Sequence, residues 1–258
     1  MMRSFYFLAA VFVFAAATFG LRAGDAAADF EQANKSYEEG KFAEAAAAYD
    51  KLIAAGNISG AIYFNRGNAL FKMGQVGRAI AAYRLAQRLS PRDPELRANL
   101  QFARTRARGG SAYQAERWRG WLDALTVNEW TVLTAAAVWL LFILLALGQW
   151  RPELSRVLRS YVVMAGLAVV ALGVCFGIVL NNNFFTQSAI VVVGEAEVRN
   201  GPLDESQTVY KVRDGVELNV IDEKDGWLQV VDSADRAGWL RRDQVLIFEA
   251  ATHQKLKA

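Results

Sequence analysis

Two long uncharged runs constrain this chain more than anything else in it. Residues 130–148 (WTVLTAAAVWLLFILLALG) carry no charge over 19 positions, and residues 160–180 (SYVVMAGLAVVALGVCFGIVL) carry none over 21. A helix needs about 20 apolar residues to cross a hydrocarbon core, where every backbone N–H and C=O must be satisfied inside the segment. Only 11 residues separate the runs. Their spacing therefore predicts a hairpin of transmembrane helices, at 127–148 and 160–180, over a pair of buried core helices. Two crossings return a chain to the side it left, so residues 29–125 and 181–258 share one side of the membrane.

The connection at 149–159 (QWRPELSRVLR) holds Arg151, Arg156 and Arg159, and no further Lys or Arg occurs until Arg199. Short basic loops stay in the cytoplasm, which puts both soluble parts on the outer side. Arg117 and Arg119 on the outer flank run against that bias, while Trp118, Trp121 and Trp130 suit an interfacial aromatic belt. Residues 1–28 agree with export. Arg3 precedes the apolar stretch Phe5 to Phe19, and Ala26-Ala27-Ala28 offers a cleavage site, with Arg22 unusual so close to it. The segment reads as a signal peptide or an N-terminal anchor, and either form would send the next domain across the membrane.

Residues 29–93 repeat. Ala33 matches Gly67, Gly40 matches Gly74, Ala45 matches Ala79 and Tyr49 matches Tyr83, each at an offset of 34. A fixed period of this size predicts stacked helical hairpins. The small residues suit close helix crossings. Gly40 and Gly74 suit helix ends, where a left-handed residue closes the last turn. Pro91 stops the second unit, and residues 94–108 form a capping helix. The strings YEEGKFAEAAAAYDKLI and GNALFKMGQVGRAIAAYRLAQRLSP resemble tetratricopeptide repeats, so residues 29–108 are expected to hold two repeats and a cap. Gly56-Asn57 stands where that pattern ends a unit with Pro. The resemblance implies a concave, peptide-binding groove lined by the first helix of each unit. Mapped onto this chain, it puts Asn34, Tyr37, Asn65, Asn68, Phe71 and Asn99 near that groove. Asn amides donate and accept, as recognition of an extended peptide requires. Asn65 and Asn99 are themselves 34 apart, so a purely repeat-structural role stands beside the binding one.

Residues 109–126 form the juxtamembrane linker. With Arg104, Arg106, Arg108, Arg117 and Arg119 around it, this stretch is either a plain connector or a contact for anionic lipid head groups. From residue 181 onward, to 258, the pattern changes. Short runs such as VELNVI and GWLQVV alternate in polarity, and Asp214-Gly215 and Asp225-Gly226 punctuate them, which predicts strands and tight turns. AEVRNGP, DGVELNVI, GWLQV and AGWL, in that order, resemble bacterial SH3-like domains. Trp227 and Trp239 then either line a ligand groove or fill the core.

Catalytic chemistry has few residues to work with. The only Cys is Cys175, inside the second apolar run, and the only His is His253, the sixth residue from the end. Their placement argues against a thiol nucleophile with a His base, a lone Cys makes no intramolecular disulfide, and a single His argues against a zinc hydrolase site. No phosphate-binding loop or nucleophile elbow occurs. The net charge of +3 is spread along the chain and leaves no nucleic-acid footprint. No catalytic residue, metal or cofactor is expected, and the chain reads as no enzyme.

The fold class is therefore multi-domain: an all-α tetratricopeptide-type helical repeat, a two-helix transmembrane hairpin and an all-β SH3-like barrel. This order of parts resembles the BatE-type proteins of aerotolerance operons. The resemblance implies a periplasm-facing protein of the bacterial inner membrane, working with von Willebrand A domain membrane proteins and a MoxR-type ATPase. Protein partners and membrane lipid are the expected contacts. Peptidoglycan bound by the β module is the alternative.

Overall fold

The computed structural model describes residues 26–109, 122, 124–185 and 187–248. Most of the expected export segment, much of the linker with Arg117 and Arg119, and His253 lie outside the described residues. Packing divides the chain into two compact units. In one, the N-terminal helices are joined by Ile190–Ala196 and Lys211–Val216; the other holds the apolar helices and the rest of the β region.

In the first unit, α1 (26–38) pairs with α2 (Phe42–Ala54), and α3 (Gly60–Lys72) pairs with α4 (Val76–Leu89); α5 (Pro94–Ala107) closes the series. Local sequence sets each boundary. Gly40 and Gly74 take φ of +77° and +79°, which turns the chain back after α1 and α3 without a Cβ penalty. Ser59 Oγ accepts from the Ile62 N–H to start α3, and Asp93 Oδ1 accepts from Glu95 and Leu96 to start α5, with Pro94 at its first position. Small residues let the helices approach. Ala33, Ala45 and Ala79 are fully buried, and a Cβ on Gly67 would lie 2.6 Å from the Tyr83 ring. The unit also includes a contact far apart in sequence: the Gly77 N–H of α4 donates to Asp214 Oδ1 at 3.0 Å.

In the second unit, α6 (Val127–Trp150) and α7 (Ser155–Leu180) form an antiparallel pair joined by a 3-10 turn at Pro152–Leu154. Both are long and apolar enough to cross a membrane. Helix continues beyond the apolar runs at the connection, so Arg156 and Arg159 sit in the first turns of α7 rather than in a loop. A capping box starts α6: the Glu129 N–H donates to Thr126 Oγ1 at 3.2 Å, and the Thr126 N–H donates to Glu129 Oε2 at 2.9 Å. Large apolar side chains such as Val132, Trp139, Met164 and Leu167 stay exposed along both helices. In water that surface is unfavourable; hydrocarbon would cover it. A buried cluster forms at one end of the pair, where Leu122, Trp130 and Val179 pack against Leu172, Cys175 and Phe176. There Trp130 Nε1 donates to the Leu122 carbonyl at 3.1 Å.

The β region forms a seven-stranded sheet: β1 (Gln187–Val191), β2 (Glu195–Arg199), β3 (Thr208–Arg213), β4 (Glu217–Lys224), β5 (Trp227–Val231), β6 (Ala237–Arg241) and β7 (Val245–Phe248), in the order β3-β2-β6-β5-β4-β1-β7. Lys224 pairs with Trp227, so Asp225-Gly226 is a two-residue hairpin loop with φ of +50° and +79°. That is the loop Asp-Gly favours, because its twist matches the strands it joins. Val198, Leu218, Leu228, Val230 and Leu240 bury almost completely on one face of the strands.

The close contact at Gly67 generates a prediction. Gly67→Ala would improve helix propensity yet force its methyl group into the Tyr83 ring, so the repeat is expected to lose about 1–3 kcal/mol. A lowered denaturation midpoint of the purified protein, with α3 and α4 amides exchanging faster, checks it; an unchanged midpoint contradicts it.

Candidate functional site

The inner helices of the repeat carry a ladder of side-chain hydrogen bonds. Asn34 Oδ1 accepts from the Tyr49 hydroxyl at 2.7 Å and from Asn65 Nδ2 at 2.9 Å. One repeat later, Asn68 Oδ1 accepts from the Tyr83 hydroxyl at 2.7 Å and from Asn99 Nδ2 at 3.1 Å. Each carboxamide oxygen thus uses both lone pairs. One bond joins the two helices of a hairpin, and the other joins that hairpin to the next. The Asn residues therefore act structurally, while their remaining amide atoms stay outside the ladder.

Beside the ladder lies a cavity of about 280 Å³ lined by Glu31, Asn34, Tyr37, Glu38, Tyr49, Asn65 and Asn68. Of the six groove residues expected from the sequence, it gathers Asn34, Tyr37, Asn65 and Asn68. Asn99 belongs to the ladder and not to the lining. Phe71 packs its ring 5.5 Å from that of Phe102, also away from the cavity. Tyr37 is held edge-on against Phe42, with ring centroids 5.3 Å apart. Glu31, Glu38 and Tyr49 are additions. Their spacing held a signal: Glu31 is three residues before Asn34 and Glu38 four after it, on one helix face. Burial pushes the Tyr37 phenol above its ordinary value and the Tyr49 phenol up to about 12; Tyr83 is raised for the same reason.

In the β region, antiparallel register pairs Trp227 with Arg241 and Gln229 with Trp239. Side chains alternate along strands, so these four share the face opposite Leu228, Val230 and Leu240. Trp227 is buried and Trp239 half-buried. The Arg241 guanidinium stands 5.3 Å from the centre of the Trp227 ring, and its Nε donates to Asp204 Oδ1 at 3.0 Å. Arg199 braces the same loop by donating to the carbonyls of Asp204 and Ser206. The two tryptophans therefore share one polar-aromatic face of the sheet, Trp227 buried in it and Trp239 partly open.

The fold defines a multi-domain protein, built from an all-α repeat, two long apolar helices and an all-β module. Residues 60–93 match the tetratricopeptide repeat family, and residues 192–245 match the bacterial SH3 domain family. The first match covers α3 and α4; the second runs from the turn before β2 to the start of β7. No curated protein matches the chain. A tetratricopeptide repeat suggests protein partners, and a bacterial SH3 domain suggests cell-wall contact.

The ladder generates two predictions. Asn68→Leu keeps the volume but strands the Tyr83 hydroxyl and the Asn99 amide. It is expected to destabilise the repeat by about 2 kcal/mol, a factor of about 30 in the opening equilibrium of α3–α5 read by hydrogen exchange. The second concerns pH. Tyr49 ionises at about 12 in the fold against 10.0 otherwise. The unfolded chain therefore loses its proton first, and stability falls as pH rises from about 10 towards 12. Tyr49→Phe should flatten that decline in an alkaline titration followed by circular dichroism; a decline of unchanged slope counts against Tyr49 as its source.

Proposed function

We propose that this chain is a non-enzymatic, membrane-anchored scaffold whose repeat captures a protein partner on the outer face of a bacterial inner membrane. The observation that carries the reading is the cavity where Asn34, Tyr37, Asn65 and Asn68 meet Glu31 and Glu38. Fixed amides can pair with an extended backbone, and two carboxylates favour a segment carrying Lys or Arg. Anchoring rests on α6 and α7, whose apolar surfaces are unburied. The Gly77–Asp214 hydrogen bond supports the topology, because both helices lie between its partners and the ends can meet only after an even number of crossings. The basic connection with Arg151, Arg156 and Arg159 favours the cytoplasm, which leaves repeat and β module in the periplasm. The order of modules supports a role like that of BatE-type proteins in an aerotolerance or stress complex, with von Willebrand A domain proteins and a MoxR-type ATPase as its associates.

A second reading, favoured by the Trp227–Trp239 face, is a tether in which the β module binds peptidoglycan. Two contacts on one anchored chain would gain from effective concentration.

A photo-crosslinking residue in place of Glu38, in the cavity, should capture one membrane-associated protein in cells. The same residue in place of Lys51, exposed on α2, should capture none. Identical products from both positions sink the groove reading. Pull-down of the detergent-solubilised chain on purified sacculi, lost with Trp239→Ala, would favour the tether instead.

A further inference from the structure

The second repeat departs from the first where α4 begins. One period before Gly77 stands Ala43, exposed on α2. Alanine is the better helix former, so glycine at this point of a helix needs a reason. The surroundings supply it. A Cβ on Gly77 would fall on the Val191 carbonyl oxygen and lie 2.5 Å from Asp214 Oδ1. Position 77 is bare because another segment of the chain touches the helix there.

That segment is the turn between β3 and β4. The residue before α4, Gln75, makes no capping bond with its side chain, and the first N–H groups of a helix need an outside acceptor. Asp214 provides one through its hydrogen bond from the Gly77 N–H at 3.0 Å. Backbone bonds hold the turn in place: Gly215 N–H donates to the Val191 carbonyl at 2.9 Å, and Asp214 N–H to the Gly194 carbonyl at 3.3 Å. Gly215 is as constrained as Gly77. Its φ is +86°, and a Cβ there would lie 2.8 Å from Ala107 Cβ, 3.0 Å from Val76 Cγ1 and 3.1 Å from Ile80 Cδ1. Ile80 is fully buried and Ala107 almost so.

The turn packs against the start of α4 at Val76 and Ile80 and against the end of α5 at Ala107.

We propose that the Asp214-Gly215 turn is an intramolecular latch that caps α4 and holds the start of α4 against the end of α5. It also ties α4, which holds Tyr83 of the ladder, to the strand pair β3–β4.

Hydrogen exchange read by mass spectrometry on the full chain in detergent micelles tests this. Gly77→Ala favours the helix on propensity alone, so an unlatched protein would exchange more slowly at residues 76–80 and as before at 211–216. With the latch, both segments should speed up together by at least tenfold, while α1 and α2 stay as in the wild type. Asp214→Ala removes the cap and leaves the space, and should speed the same two segments by a smaller factor. Ala43→Gly, the matching change in the first repeat, should leave 211–216 untouched. Wild-type exchange at 211–216 in Gly77→Ala overturns the proposal. If that variant does not fold, unchanged exchange at both segments in Asp214→Ala overturns it.

Discussion

A carboxamide oxygen that accepts two hydrogen bonds at once sets the geometry on which the repeat depends. Asn34 and Asn68 each bind a tyrosine of their own hairpin and an asparagine of the next. Were either oxygen lost, a tyrosine hydroxyl and an amide would be left without a partner in a half-buried site, a larger penalty than the net gain of either bond. The ladder thereby joins each hairpin to the next. Close packing accompanies it, since the Tyr83 ring that bonds Asn68 also lies against Gly67.

The same asparagines face the cavity, so the groups that hold the stack also shape the surface a partner would meet. Such a groove is ready before binding, and little ordering cost opposes association. Ladder and groove cannot be separated by mutating asparagines, whereas Glu31 and Glu38 line the cavity with no part in the ladder. The β module obeys the same logic. Arg241 is held by Asp204 and stands over Trp227, so the aromatic face is braced from below by the core and from the side by an ion pair.

Among the described residues, α5 packs against α4, and the Asp214-Gly215 turn meets the start of α4 and the end of α5. The cost is local: glycine at position 77, where the repeat alone would accept a larger residue.

Sequence alone determined the parts and their order. A run of 19 or 21 uncharged residues reads as a long apolar helix because length and polarity suffice. The 34-residue period reads as stacked hairpins because each unit repeats one local geometry, and Asp225-Gly226 reads as a hairpin loop because few residues take two positive φ angles. Asn34, Tyr37, Asn65 and Asn68, which line the cavity, were placed near a groove by the family likeness. Tertiary structure alone decided that the Asn oxygens are consumed in a ladder, that Phe71 turns to Phe102, that the tryptophans share a face with Gln229 and Arg241, and that Asp214 reaches Gly77 across 137 residues. The physical reason is range. Periodicity and turn propensity act within a few residues, whereas a hydrogen bond between distant segments exists only once the folded chain has brought them together.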